Sequence, residues 1–307
     1  MKTYRVKHVD AFTTHPFAGN PAGVVVDAKG MSDEEMQLLA REKNLSETAF
    51  VLPATLKGAD LQIRWFTPAT EVALCGHATI ATFHALAEEG MEGMSPQGQH
   101  YFKLQTKSGV LSIRVEKNFQ GTTIEFELPI PEFHIMKGAP VEMLKALGVQ
   151  KSDLDPRVPM LVENDVFIPL KKLKILNGLQ PDFAALKKVS IKEKSRGICV
   201  FTLETEEESS AVHSRFFAPA VGINEDPVTG SANGPLGAIL CQYVLQKEIF
   251  VPLRELPDGR MEFIGEQGFA VKRPGHVKIR VGCDEGRVHA LSIAGEAVTI
   301  MNSIVTF

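Results

Sequence analysis

Apolar and polar residues recur with two different periods along the chain, and the switches between them lay out its elements. Residues 4–12 alternate with period two and predict a strand; residues 13–23 are turn-rich, ending HPFAGNPAG, before a short strand at 24–26. Ser32 followed by Glu35 is a capping box, and Met36, Leu39 and Ala40 give the next helix one apolar face as far as Asn44. Residues 48–52 resume a strand that Pro53 stops, so Ser46 and Glu47 fall at a helix-to-strand junction. A strand at 61–66 precedes a helix at 78–89, closed by Gly90 in a position suited to left-handed backbone. That helix is apolar on nearly every side through Ala78, Ile80, Ala81, Phe83, Ala85 and Leu86, which predicts burial among strands.

Strands follow at 104–106, 110–115 and 123–128, and Pro129-Ile130-Pro131 reads as a connection. Beyond it come short helices at 141–147 and 182–188 and strands at 166–170, 197–203, 212–217, 269–271, 277–281 and 288–293. A second apolar helix is expected over 232–246; Pro235 is tolerable only in the first turn, which puts the start near Ser231. The last run, 297–307, is strand-like and is expected to return to the N-terminal half.

One stretch is written twice. Arg64-Trp65-Phe66-Thr67-Pro68-Ala69 is answered 151 positions later, from 64 to 215, by Arg215-Phe216-Phe217-Ala218-Pro219-Ala220. Each copy runs on through a loop into a small-residue turn and an apolar helix, at Cys75-Gly76-His77-Ala78 and at Thr229-Gly230-Ser231-Ala232. A third echo matches Ser108-Gly109-Val110 through Val115 with Pro274-Gly275-His276 through Val281. The period is too long for a solenoid, so the expectation is two similar domains, 1–128 and 129–296, with 297–307 returning to the first.

Composition narrows the function classes. In 307 residues, hydrophobic content of 44% and charged content of 23% are those of a globular protein with room for a core. A formal charge of −4 offers no basic footprint for nucleic acid or an anionic membrane. Four scattered cysteines without a C-x-x-C pair fit neither a zinc pattern nor a disulfide framework, and no apolar run reaches signal-peptide or membrane-spanning form, so the chain reads as cytoplasmic with reduced thiols. Neither a Walker loop, a dinucleotide fingerprint nor a G-x-S-x-G elbow occurs; no cofactor is implied, and Cys75 and His77, two apart, make no metal site without further ligands.

The candidate chemistry gathers at the duplicated helix starts. Unpaired backbone N–H groups and the helix dipole favour an anion there, and Gly76 and Gly230 allow close approach to the backbone. If the halves pair about a pseudo-twofold axis, both starts face one cleft that would grip a small carboxylate. Glu47, His77, Asp226 and Ser231 are the polar candidates around it; a carboxylate enclosed there loses solvation and rises toward a useful general acid/base pKa. On pattern alone each has an ordinary structural reading: Glu47 a surface or capping residue, His77 a first-turn histidine, Asp226 a turn-starter before Pro227, Ser231 a cap.

Taken together, Ala11-Phe12 with Gly19-Asn20-Pro21-Ala22-Gly23, Ser46-Glu47-Thr48-Ala49, Cys75-Gly76-His77-Ala78-Thr79 and Asp226-Pro227-Val228-Thr229-Gly230-Ser231-Ala232 resemble the PhzF-like phenazine-biosynthesis isomerases of the diaminopimelate-epimerase superfamily. The resemblance covers nearly the whole chain and is weakest over 132–196. It implies an α+β fold of two pseudo-symmetric halves, each a curved, mostly antiparallel sheet around a central helix, in a cofactor-independent homodimer. It also implies that Glu47 moves a proton between carbons of a dihydro-hydroxyanthranilate, that His77, Asp226 and Ser231 bind and orient substrate, and that Asn20 lies nearby.

The superfamily's racemases use two thiols, one at each helix start. Here Cys75 meets Thr229 instead, and a hydroxyl is far too weak an acid to replace a thiol, so a single-carboxylate mechanism is favoured and Cys75 becomes a relic or packing group. Two rivals stay open: an amino- or hydroxy-acid racemase or epimerase using Cys75 with another base, and a non-catalytic small-ligand-binding relative.

Overall fold

The computed structural model describes residues 1–95, 97–136 and 140–307. It resolves into two compact units, Met1–Glu127 with Ala294–Phe307, and Leu128–Ile293. Each is a curved, mostly antiparallel sheet laid against a helix, in the α+β class.

In the first unit the strand Thr3–Ala11 sits between two antiparallel partners, the C-terminal strand Ala297–Thr306 and the strand Asn20–Val25. The sheet continues through Glu47–Pro53, parallel to Asn20–Val25, then Leu61–Phe66, Gly98–Thr106, Gly109–Asn118 and Gly121–Glu127. Period-two alternation divides its side chains between two faces. Phe50 and Phe66 meet edge to face, with centroids 5.4 Å apart, under the helix Asp33–Lys43, whose expected Ser32–Glu35 capping box is formed. The helix Gly76–Glu88 packs against Thr3–Ala11, Asn20–Val25, Glu47–Pro53, Gly121–Glu127 and the C-terminal strand. Ala78, Ile80, Ala81, Phe83, Ala85 and Leu86 are wholly buried, as an all-round apolar helix requires.

In the second unit, Val166–Pro169 runs parallel to Ile198–Thr202, which is antiparallel to Val212–Ala218. The sheet then passes through Met261–Gln267, parallel to Val212–Ala218, to Gly275–Asp284. The helices Val141–Leu147 and Phe183–Lys192 close one core around Leu147, Ile168, Leu186 and Phe217. The helix Gly230–Ile239 lies against Gly275–Asp284; a Cβ on Gly237 would fall 2.4 Å from Ile279, so glycine there sets how closely helix and strand approach.

Three expectations are corrected. Residues 269–271 form a 3₁₀ turn, and the strand lies before it at Met261–Gln267, because Gly268 takes φ of 91° and reverses the chain. The helix expected over 232–246 begins at Gly230 and stops at Ile239, followed by a π turn at Leu240–Val244 and a 3₁₀ turn at Leu245–Lys247. Pro235 is its sixth residue rather than part of the first turn, so the carbonyl of Ser231 loses its usual intrahelical donor. Among the described residues no helix is long and apolar enough to cross a membrane.

The duplication is visible atom by atom. Arg64 makes a forked pair with Glu71 at 2.8 and 2.9 Å and lies 5.1 Å from the Phe66 centroid; Arg215 pairs likewise with Glu225, both bonds 2.8 Å, and lies 5.1 Å from Phe217. The Gln105 side chain accepts from the N–H groups of Thr55 and Leu56, and Glu266 does the same for Glu206 and Glu207, the donors again 151 positions on. At the helix starts Thr79 Oγ1 donates to the Cys75 carbonyl and Asn233 Nδ2 to the Thr229 carbonyl.

Candidate active site

The first unit brings Glu47 and His77 together. Glu47 opens the strand Glu47–Pro53 after the helix Asp33–Lys43 has ended in a left-handed Asn44, which is the junction its sequence context implies. His77 is the second residue of the buried helix. Its Nε2 lies 3.2 Å from Glu47 Oε2, with the residues 7% and 9% exposed. Cys75, at the N-cap, makes no side-chain cap bond; its Sγ stands 3.5 Å from His77 Nδ1.

Burial decides the protonation of this group. Desolvation of the imidazolium pushes the His77 pKa down to about 4, so His77 is neutral at pH 7. Nε2 stands against the Glu47 carboxylate at 3.2 Å, and Nδ1 lies where it can accept the Cys75 S–H. One carboxylate, one neutral imidazole and one thiol therefore stand side by side at the start of a helix.

Asn20 is fully buried at the first residue of the strand parallel to Glu47–Pro53, two places from Ala22, the register partner of Glu47. Glycines position it. Gly19 has φ of 59° and a Cβ there would fall 2.1 Å from the Ala11 carbonyl, while Gly23 faces Thr48, whose hydroxyl would be 2.8 Å from a Cβ. Asp10 ties the same loop by accepting from the Phe17 N–H at 2.7 Å.

The second unit assembles the other half of the predicted residues. Asp226, 8% exposed, ends the strand Ile223–Asp226 and accepts from Thr229 Oγ1 at 2.5 Å. Thr229 is the N-cap of Gly230–Ile239 and, like Cys75, makes no cap bond with its side chain. Gly230 is buried, and Ser231, the second helical residue, is half-buried. By helix geometry both starts present N–H groups that have no intrahelical acceptor.

Gln267 is the residue that sequence reasoning missed. Its Oε1 accepts from the Thr229 N–H at 3.1 Å and Asn233 Nδ2 at 2.9 Å; its Nε2 donates to the Asp226 carbonyl at 2.8 Å and Thr229 Oγ1 at 3.1 Å. One amide thus clamps strand end, loop and helix start. A strand read over 261–267 instead of 269–271 would have put Gln267 beside Ser214, its register partner, next to the second helix start.

The family model described as phenazine biosynthesis-like protein matches residues 9–303. The chain belongs to that family. The PhzF-like chain is 38% identical over 312 residues to an uncharacterized isomerase of Clostridium acetobutylicum, covering 99% of this chain and 98% of the relative. It superposes on a PhzF-family phenazine biosynthesis protein from Bacillus anthracis with a TM-score of 0.86 at 34% identity, covering all of both chains. A hydroxyproline epimerase from Agrobacterium vitis shares the fold, with a TM-score of 0.61 at 13% identity over 99% of this chain and 92% of that one. Isomerase chemistry is the class this PhzF-like protein carries out.

Proposed function

We propose that this PhzF-like isomerase moves a proton between two carbons of a small carboxylate substrate, of the dihydro-hydroxyanthranilate type, with Glu47 as the acid/base and no cofactor. The observation that carries this reading is the contact between Glu47 Oε2 and His77 Nε2, 3.2 Å apart and buried at the start of an uncapped helix. Glu47 removes a carbon-bound proton, the electron pair delocalises into the adjoining conjugated system, and the same carboxylic acid returns the proton to another carbon. His77, neutral, stands against Oε2 and orients the carboxylate toward the substrate. Asp226 is assigned to steering protonation, and Asn20, Gly76, Gly230 and Ser231 to holding substrate. Proton transfer contributes roughly a hundredfold to ten-thousandfold, so anion stabilisation by helix-start N–H groups supplies much of the remainder.

Glu47→Gln retains shape and hydrogen bonding but cannot take the proton. It is expected to fold normally and to lose exchange of carbon-bound hydrogen between a dihydro-hydroxyanthranilate and deuterated water by about a hundredfold or more, read by NMR. Exchange at the wild-type rate would remove Glu47 from this role.

The second reading, a thiol racemase, rests on the Cys75 Sγ to His77 Nδ1 approach of 3.5 Å. The N-cap of the second helix, Thr229, gives its hydroxyl to Asp226 and offers no matching thiol. Alkylation of Cys75 that leaves exchange running, slowed only by crowding, supports the carboxylate; complete loss, reproduced by Cys75→Ala, supports the thiol.

A further inference from the structure

We propose that Glu47, Cys75 and His77 form a three-ligand site for a thiophilic divalent ion of the zinc class. Two residues at i and i+2 cannot hold such an ion alone. Folding adds the third donor by bringing the first residue of the strand Glu47–Pro53 against the start of the helix Gly76–Glu88.

The geometry fits. His77 Nε2 lies 3.2 Å from Glu47 Oε2 and 4.0 Å from Cys75 Sγ, and one donor atom from each residue falls within 4.8 Å of the other two. A zinc tetrahedron with Zn–S of about 2.3 Å and Zn–N and Zn–O of about 2.0–2.1 Å has edges of roughly 3.3–3.6 Å. The nitrogen–oxygen edge already has that length, and the sulfur edges contract by a turn of the Cys75 side chain. Thiolate, imidazole and carboxylate are the donor types that zinc accepts, and three protein ligands leave a fourth position open.

Electrostatics favours the ion as well. A helix start repels a cation with about half an elementary charge, but the same field favours the thiolate, and thiolate and carboxylate together present two full negative charges. All three residues are less than a tenth exposed, so bulk water competes weakly for the metal.

The consequence for turnover rests on the acid/base reading of Glu47. A metal held by the Glu47 carboxylate neutralises its charge and removes its basicity toward the carbon-bound proton, and ligation displaces the thiol proton. Occupancy and proton transfer are then mutually exclusive, so the ion acts as an inhibitor rather than a cofactor.

Chelator-treated protein titrated with zinc chloride against a chromogenic chelator should retain one equivalent per chain. Cys75→Ala and Glu47→Gln should each weaken binding by about tenfold or more, whereas Cys283→Ala, which removes the more exposed thiol, should not. Cobalt(II) in place of zinc should give a thiolate charge-transfer band in the wild type and in Cys283→Ala, and none in Cys75→Ala, with circular dichroism confirming that each variant is folded. Absence of stoichiometric uptake, or uptake undiminished in Cys75→Ala, overturns the site. Exchange of a dihydro-hydroxyanthranilate should fall in step with zinc occupancy and return with EDTA. Exchange that persists at full occupancy overturns the inhibition, whereas no exchange by metal-free wild type counts against the proposed substrate reaction and leaves the metal uptake to judge the site.

Discussion

His77 shows how one side chain couples stability to pH. An unfolded histidine titrates near 6.5, whereas burial lowers the folded value to about 4, so between these values the unfolded chain binds more protons than the folded one. Stability from this group is therefore complete above about pH 6.5 and is lost as pH falls toward 4, by about 3 kcal/mol in all. Urea denaturation at pH 7 and pH 5 should show about 2 kcal/mol of that loss, and His77→Gln, which has no proton to take up, should show a smaller one. The carboxylates of Glu71 and Glu88, held below their ordinary range among arginine and lysine partners, lose their own contribution only at lower pH. An equal fall in both proteins would mean that His77 is not the group being charged.

At the scale of elements, the second helix start depends on one amide. Gln267 makes four hydrogen bonds to Asp226, Thr229 and Asn233, all inside a region with Gln267 1% exposed. Removing it leaves the Thr229 N–H and the Asn233 amide buried with lost partners, and an unsatisfied buried donor costs about 1–3 kcal/mol. Gln267→Ala is therefore expected to lose about 2 kcal/mol or more in urea denaturation and to expose the Thr229 amide to hydrogen exchange. Unchanged exchange there would show that the loop holds its shape without the clamp. Gly265 and Gly268 belong to the same device. A Cβ on Gly265 would strike Asn233 Oδ1 at 2.2 Å, and one on Gly268 would strike the Arg273 carbonyl at 2.2 Å.

Across the whole molecule the two copies of the arginine fork carry different burdens. Arg64 holds Asp33, which is largely exposed, and shares Glu71 with Lys107 at 2.5 Å, so its loss leaves Glu71 another cation. Arg215 is 6% exposed and also donates to the carbonyls of Leu176 and Leu179, both at 3.0 Å. Breaking a buried pair from one side costs about 3–5 kcal/mol, because a charge is stranded, whereas a partly exposed pair with a substitute partner costs about 1–2 kcal/mol. Arg215→Ala should therefore destabilise the protein clearly more than Arg64→Ala, as compared by urea midpoints. Equal losses would contradict the burial argument.

The residues by themselves determined the local grammar: the Ser32–Glu35 box, the strand Leu61–Phe66, the helix Val141–Leu147 and the duplicated arginine stretch all follow from periodicity, capping chemistry and repetition within a few neighbours. They also placed Glu47 at an element junction and His77 in a first turn. What they could not supply is distance between elements. The 3.2 Å approach of Glu47 to His77, the arrival of a third donor beside Cys75 and His77, and the Gln267 clamp all join residues 28 or more positions apart. The Phe269–Val271 turn was misread because its apolar run has the composition of a strand, and only the contact of Gly268 with Arg273 and Pro227 fixes the backbone there. Packing, not local preference, decides such positions, since burial energy depends on which surfaces meet and a single chain segment does not carry that information.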